Sequence, residues 1–84
     1  MRTQKTLELS EYLTSAALVA SGIALLEVKP PSGYQRRCAL VFSDEGGRAS
    51  RTLAEHRAGD LMVNSLRYAA AVNDLKGRIF SARG

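Results

Sequence analysis

Asp44-Glu45-Gly46-Gly47-Arg48 is the stretch of this sequence with the most evident capacity for chemistry. An apolar run from Cys38 to Phe42 leads into two glycines, and a basic segment follows. Those are the ingredients of a phosphate cradle, in which free backbone N–H groups at a helix start hold an anion. A Walker-type loop also needs fixed glycine spacing and a terminal Lys-Ser or Lys-Thr. Neither is present. Asp44 and Glu45 instead bring negative charge to the place an anion would occupy. A carboxylate there satisfies the free donors itself. The stretch reads as a turn and a helix cap.

The other reactive residue types are equally sparse. His56 is the single histidine and Cys38 the single cysteine. A metal site needs several ligands, and no spacing supplies them. One cysteine forms no disulfide within the chain, which suits a reducing compartment. Cys38 lies in an apolar run and reads as a buried, inert thiol, because an activated thiolate needs a base and an electropositive setting. A serine triad would have to recruit His56 from a core-facing stripe. Asp44 and Glu45 are adjacent and turn-bound, so they make no acid–base couple. The sequence therefore predicts a non-catalytic protein, with no catalytic, metal or cofactor-binding residue and no cofactor.

What remains is charge. The 84 residues carry 12 Lys and Arg against 8 Asp and Glu, a formal net charge of +4. Residues 29–58 hold six cations against three acids, and residues 59–84 hold four against two. Arginine dominates, and its planar fork suits phosphate or carboxylate. Tyr34 stands beside Arg36 and Arg37, where an aromatic could stack on a base while the arginines grip phosphate. The candidate binding surface is Tyr34, Arg36, Arg37, Arg48, Arg51, Arg67 and Arg78. Tyr12 and Tyr68 fall on apolar stripes and read as core.

These residues must be positioned by a small frame. The length allows one domain, residues 1–84. A chain this short buries only about 60–65% of its unfolded surface, so self-association or a partner is expected to help it. The start of the chain lacks an apolar segment of the secretory kind. The run Ser15 to Val28 falls short of the roughly 20 residues of a membrane span and is interrupted by Gly22. A soluble, cytoplasmic protein that avoids membranes is expected.

Lys5 to Leu9 alternates, with Leu7 and Leu9 on one side, as a short strand would. Ser10 is the expected N-cap of a helix from about 11 to 21, with Glu11 in its first turn and Gly22 as its stop. Its apolar face is Tyr12, Leu13, Ala16, Ala17 and Ala20. Leu18 falls among the polar residues, so this helix is expected to be covered on two sides; the alternative is that Leu18 touches a partner. Residues 23–29 read as a strand with Ala24, Leu26 and Val28 on one face. Pro30-Pro31 and Ser32-Gly33 break it. Residues 37–43 read as the return strand, with Cys38, Leu40 and Phe42 on one face, which makes an antiparallel hairpin.

A second helix is expected from about 47 to 58, with Ala49, Thr52, Leu53 and His56 inward, an Arg51–Glu55 pair outside, and Gly59 at its end. Asn64 should cap a third helix over 65–82 with Tyr68, Val72, Leu75 and Ile79 as its inward stripe. Gly77 is expected to permit close packing beside Leu66, Ala70 and Asn73. The order is (β)αββαα. The fold class is α+β: an antiparallel hairpin, with a short N-terminal third strand if Lys5 to Leu9 pairs, packed by three helices.

From Leu9 to Phe80 the chain resembles a small family, a domain of unknown function found in short bacterial and phage-encoded proteins. The likeness rests on an ordered set. Ser10-Glu11 opens the first helix, and Gly22 ends it before Leu25-Leu26. "VFSD" closes the hairpin with Phe42 and Asp44. Gly59 ends the second helix, and "LKGRIF" carries Leu75-Lys76 and Ile79-Phe80. The sequence departs from that pattern at His56 and Arg57, where an aromatic is usual, and in its longer, more basic "KPPSGYQRR" loop. The resemblance implies the fold and a phage or mobile-element setting, and no activity. Two roles follow as expectations. One is a protein-interaction or small assembly module, a homodimer or an adaptor. The alternative is a nucleic-acid-binding accessory protein that holds the phosphate backbone through its arginines.

Overall fold

The computed structural model describes residues 5–31 and 37–82. The elements run β1 (Thr6–Leu9), α1 (Tyr12–Ala20), β2 (Leu25–Lys29), β3 (Ala39–Ser43), a 3-10 turn (Glu45–Gly47), α2 (Arg48–Ala58) and α3 (Ser65–Ala82). The fold is α+β, in the expected order βαββαα. The three strands form one antiparallel sheet in the order β1-β3-β2, so the segment from Lys5 to Leu9 does complete it.

Register decides which face is buried. Leu7 and Leu25 both lie opposite Phe42, while Leu9 and Val28 lie opposite Leu40. These six side chains form the inner face, since successive residues of a strand point to opposite sides. Phe42 and Leu40 are fully buried. The simple alternation expected for residues 23–29 does not hold. Leu25 pairs with Phe42 and Glu27 with Val41, so Leu26 is an extra residue in a bulge. A bulge shifts the period by one. Leu25 and Val28 therefore both face the core, and Leu26 is 43% exposed.

Helix α1 begins one residue later than expected. Glu11, not Ser10, is the N-cap, with an extended backbone. The chain leaves β1 at Leu9 and uses Ser10 and Glu11 to turn. The Glu11 carbonyl accepts the Ser15 amide at 3.0 Å and the Ser15 hydroxyl at 2.8 Å, and its carboxylate accepts the Thr14 hydroxyl at 3.2 Å. The buried hydroxyls of Thr14 and Ser15 are thereby satisfied, as burial requires. The helix closes at Gly22 as expected, where the Gly22 amide donates to the Val19 carbonyl and the Ile23 amide to the Leu18 carbonyl, the paired bonds of a Schellman motif.

This helix is covered on more than one side. It lies against α3 and also meets α2 and β1. Thr14, Ser15, Ala16, Ala17, Leu18 and Ala20 are all buried. Leu18 is fully buried and belongs to the core with Ile23, Leu40, Phe42, Leu53 and Leu75. The side chain left outside is Leu13, 52% exposed, although the helical wheel places it on the apolar face.

Helix α2 buries Ala49 and Leu53 and half-buries Thr52 and His56. Its expected Arg51–Glu55 pair does not form. Both side chains are exposed, where the few tenths of a kcal/mol from such a pair do not outweigh side-chain freedom. The helix ends at Gly59. Asn64 caps α3, its Oδ1 accepting the amides of Leu66 at 2.9 Å and Arg67 at 3.1 Å. Leu75 and Ala71 are buried, and Tyr68, Val72 and Ile79 half-buried.

Gly77 does not serve close packing. It is exposed together with Leu66, Ala70 and Asn73, and a Cβ built on it meets nothing within 4 Å. The face it shares with them points away from Leu75. Gly77→Ala should therefore raise stability by about 0.5–1 kcal/mol, through helix propensity and a less free unfolded chain. Urea unfolding of dilute protein measures this; a lowered midpoint would contradict the assignment of an open face.

Candidate interaction surface

The Gly46-Gly47 stretch is a turn whose anion position is already filled. Both glycines have positive φ, 66° and 72°, a conformation that costs a residue with a Cβ. They bring Asp44 back over the start of α2. Its carboxylate accepts the Ser50 amide at 2.9 Å and the Ser50 hydroxyl at 2.5 Å. Its own amide donates to the Lys5 carbonyl at 2.9 Å, which ties β1, β3 and α2 together at one corner. The Ser50 hydroxyl, then the Ser50 amide, hold the Asp44 carboxyl below its ordinary 3.8, with help from Lys5 and the Ala49 amide and against the opposing effect of burial.

A carboxylate with a lowered folded pKa stabilises the native state above its unfolded value, and that contribution is lost as pH falls through the folded value. Unfolding midpoints should therefore drop on acidification below about pH 4. Asp44→Asn should flatten that drop. Equal acid slopes in the two proteins would show that Asp44 is not the group responsible.

Cys38 is buried just ahead of β3, with its thiol 4.0 Å from the Ile79 carbonyl near the end of α3. His56 is half-buried on the inner side of α2. Among the described residues no group of three His, Cys, Asp or Glu could hold a metal, and no helix is long and apolar enough to cross a membrane.

The candidate arginines are spread over the molecule. Tyr34 and Arg36 lie outside the described residues. Arg37, Arg48, Arg51, Arg67 and Arg78 are exposed. Arg78 pairs with Asp74 at 3.0 Å, one turn apart on α3; Arg37, Arg48, Arg51 and Arg67 form no ion pair with the described residues. Arg48 and Arg67 flank the α1–β2 turn, each lining a hollow that Gly22 also borders. Arg37 stands beyond the other end of β3, a strand of five residues that spans about 16 Å.

The feature that sequence reasoning only brushed is apolar. Met62 is 92% exposed, Leu66 80%, Phe80 79% and Leu13 52%. Phe80 continues into a groove between the start of α1 and the end of α3. One part, of about 440 Å3, is lined by Tyr12, Leu13, Arg37, Cys38 and Ile79 among others. The adjoining part, of about 410 Å3, is lined by Tyr12, Lys76, Ile79 and Phe80. Tyr12 and Ile79 line both parts. The apolar terminal pair Ile79-Phe80, of which Phe80 is exposed, and the 4-3-4-3 spacing from Leu66 to Phe80 were the available signals. Leu18, which could have marked a partner contact, lies in the core instead. The sheet edges are poor templates: β1 has four residues, and β2 carries the bulge and runs into Pro30-Pro31, features that blunt strand addition. Compared with protein-family models, curated proteins and solved structures, the chain matches none of them.

Proposed function

We propose that this protein is a non-catalytic interaction module, acting in the cytoplasm by holding another protein surface through α3 and the groove beside it. The observation that carries this reading is the exposure of three large apolar side chains, Met62, Leu66 and Phe80, all at least 79% exposed, on or just before one helix. Single exposed apolar residues are ordinary; several on one element mark a contact surface. The resemblance to short phage-encoded proteins adds a setting in a phage or mobile-element assembly.

The test compares tagged wild type with a Leu66→Gln/Phe80→Gln variant as bait in cells that also express the untagged chain. Wild type should retain one protein, the untagged chain included, in near-stoichiometric amount, and the variant should lose it. Both changes lie outside the core, so the variant's circular dichroism should match that of wild type. Identical captured sets would reject the reading.

A second reading is favoured by the arginines that form no ion pair with the described residues. Arg48 and Arg67 flank one turn and could engage a nucleic-acid backbone. With about three phosphates neutralised, affinity for mixed-sequence DNA or RNA should fall about 40-fold between 50 and 200 mM salt. Arg48→Glu/Arg67→Glu should weaken binding. No measurable binding at low salt would exclude this role.

A further inference from the structure

We infer that the partner of the outer face of α3 is a second copy of this chain, docked antiparallel about a two-fold axis between residues 71 and 72. This rests on the interaction-module reading and names its occupant. Leu66, Ala70, Asn73, Gly77 and Phe80 are spaced 4-3-4-3 along α3, and all five are exposed. At 3.6 residues per turn they form one line opposite the buried Leu75. A line of this spacing is the seam of a helix pair. Among the described residues a Cβ at Gly77, the middle of the line's second half, would meet nothing within 4 Å, while Ala70 and Phe80 at its margins border hollows shared with α1.

Shape and charge choose the orientation. In the antiparallel register each Leu66 lies over Gly77 of the second copy, a large projecting side chain against the deepest gap. Ala70 faces Asn73 in the same way. Arg67 and Asp74 stand seven residues apart on one flank. The two-fold places Arg67 of each copy beside Asp74 of the other, so each pair occurs twice, as a two-fold interface requires. Asp74 then lies between its own Arg78 and the incoming Arg67. A parallel pairing would set Leu66 on Leu66 and Gly77 on Gly77, leaving a hole, and would not bring Arg67 to Asp74. Three turns of paired helix make a small interface, so association should be reversible and on the order of micromolar or weaker.

Sedimentation equilibrium of the full chain over a wide concentration series tests this. Wild type should pass from monomer to dimer mass. Gly77→Leu fills the gap without touching the monomer and should abolish association while raising thermal stability in dilute solution. Arg67→Glu and Asp74→Lys should each weaken association about tenfold, because each removes two cross-pairs. The combined swap should return it to within about threefold of wild type. The proposal is overturned if wild type stays monomeric at every concentration, if Gly77→Leu still dimerises, or if the swap is no better than the single reversals. A monomer that nonetheless retains a different protein in the bait experiment sinks this inference alone. A monomer that retains nothing sinks the interaction reading with it.

Discussion

Replacing Phe42 by alanine should remove a large share of the protein's folding stability. Phe42 is fully buried on β3, the strand that pairs on both sides, with Leu7 and Leu25 opposite it. Removing the ring costs its transfer free energy plus the cavity left behind, together about 3–5 kcal/mol. A chain of this length has a total of about 4–13 kcal/mol to lose. The melting temperature should fall by about 12–40 °C, since each kcal/mol moves it by about 4–8 °C in so small a domain. Circular dichroism melts measure this. A cooperative transition within a few degrees of wild type would mean that the central strand is not where the core lies.

The second large effect is a contrast within one helix. Leu18→Ala should cost about 2–5 kcal/mol, because Leu18 is fully enclosed among Ile23, Leu40, Phe42 and Leu75 and the site cannot collapse around the gap. Leu13→Ala, five residues earlier, should cost less than about 0.5 kcal/mol, because Leu13 is half in water and surface changes are small. A helical wheel ranks the two residues the other way round. Paired urea titrations decide between the rankings. Equal losses would indicate that α1 rotates about its axis relative to this structure.

That reversal shows where sequence reasoning reached and where it stopped. Element boundaries were legible because breakers punctuate them. Gly22, Pro30-Pro31, Gly59 and Asn64 each act locally, and Asn64 caps α3 at the predicted residue. Facing was less legible. A wheel assumes one buried side, and α1 has three neighbours, so polar Thr14 and Ser15 go inward with their hydroxyls bonded back to Glu11. The bulge at Leu26 depends on the register with β3 and has no local signature in Leu25-Leu26-Glu27. Asp44 was readable as a cap from type and position alone. The surface was the least legible. Periodicity aligned Leu66, Ala70, Asn73 and Gly77, but small residues in a line suit close packing and open water equally, and only the absence of neighbours separates the two.

The central place of β3 also governs the sequence of events as the chain is made. β1 pairs only with β3, across the 29 intervening residues, 10–38, that include all of α1. Until Ser43 has emerged, the first strand has no partner and α1 has no sheet to lie on. The local β2–β3 hairpin closes the shorter loop and therefore has the smaller entropic barrier. Assembly should proceed outward from that hairpin, with the N-terminal segment joining late.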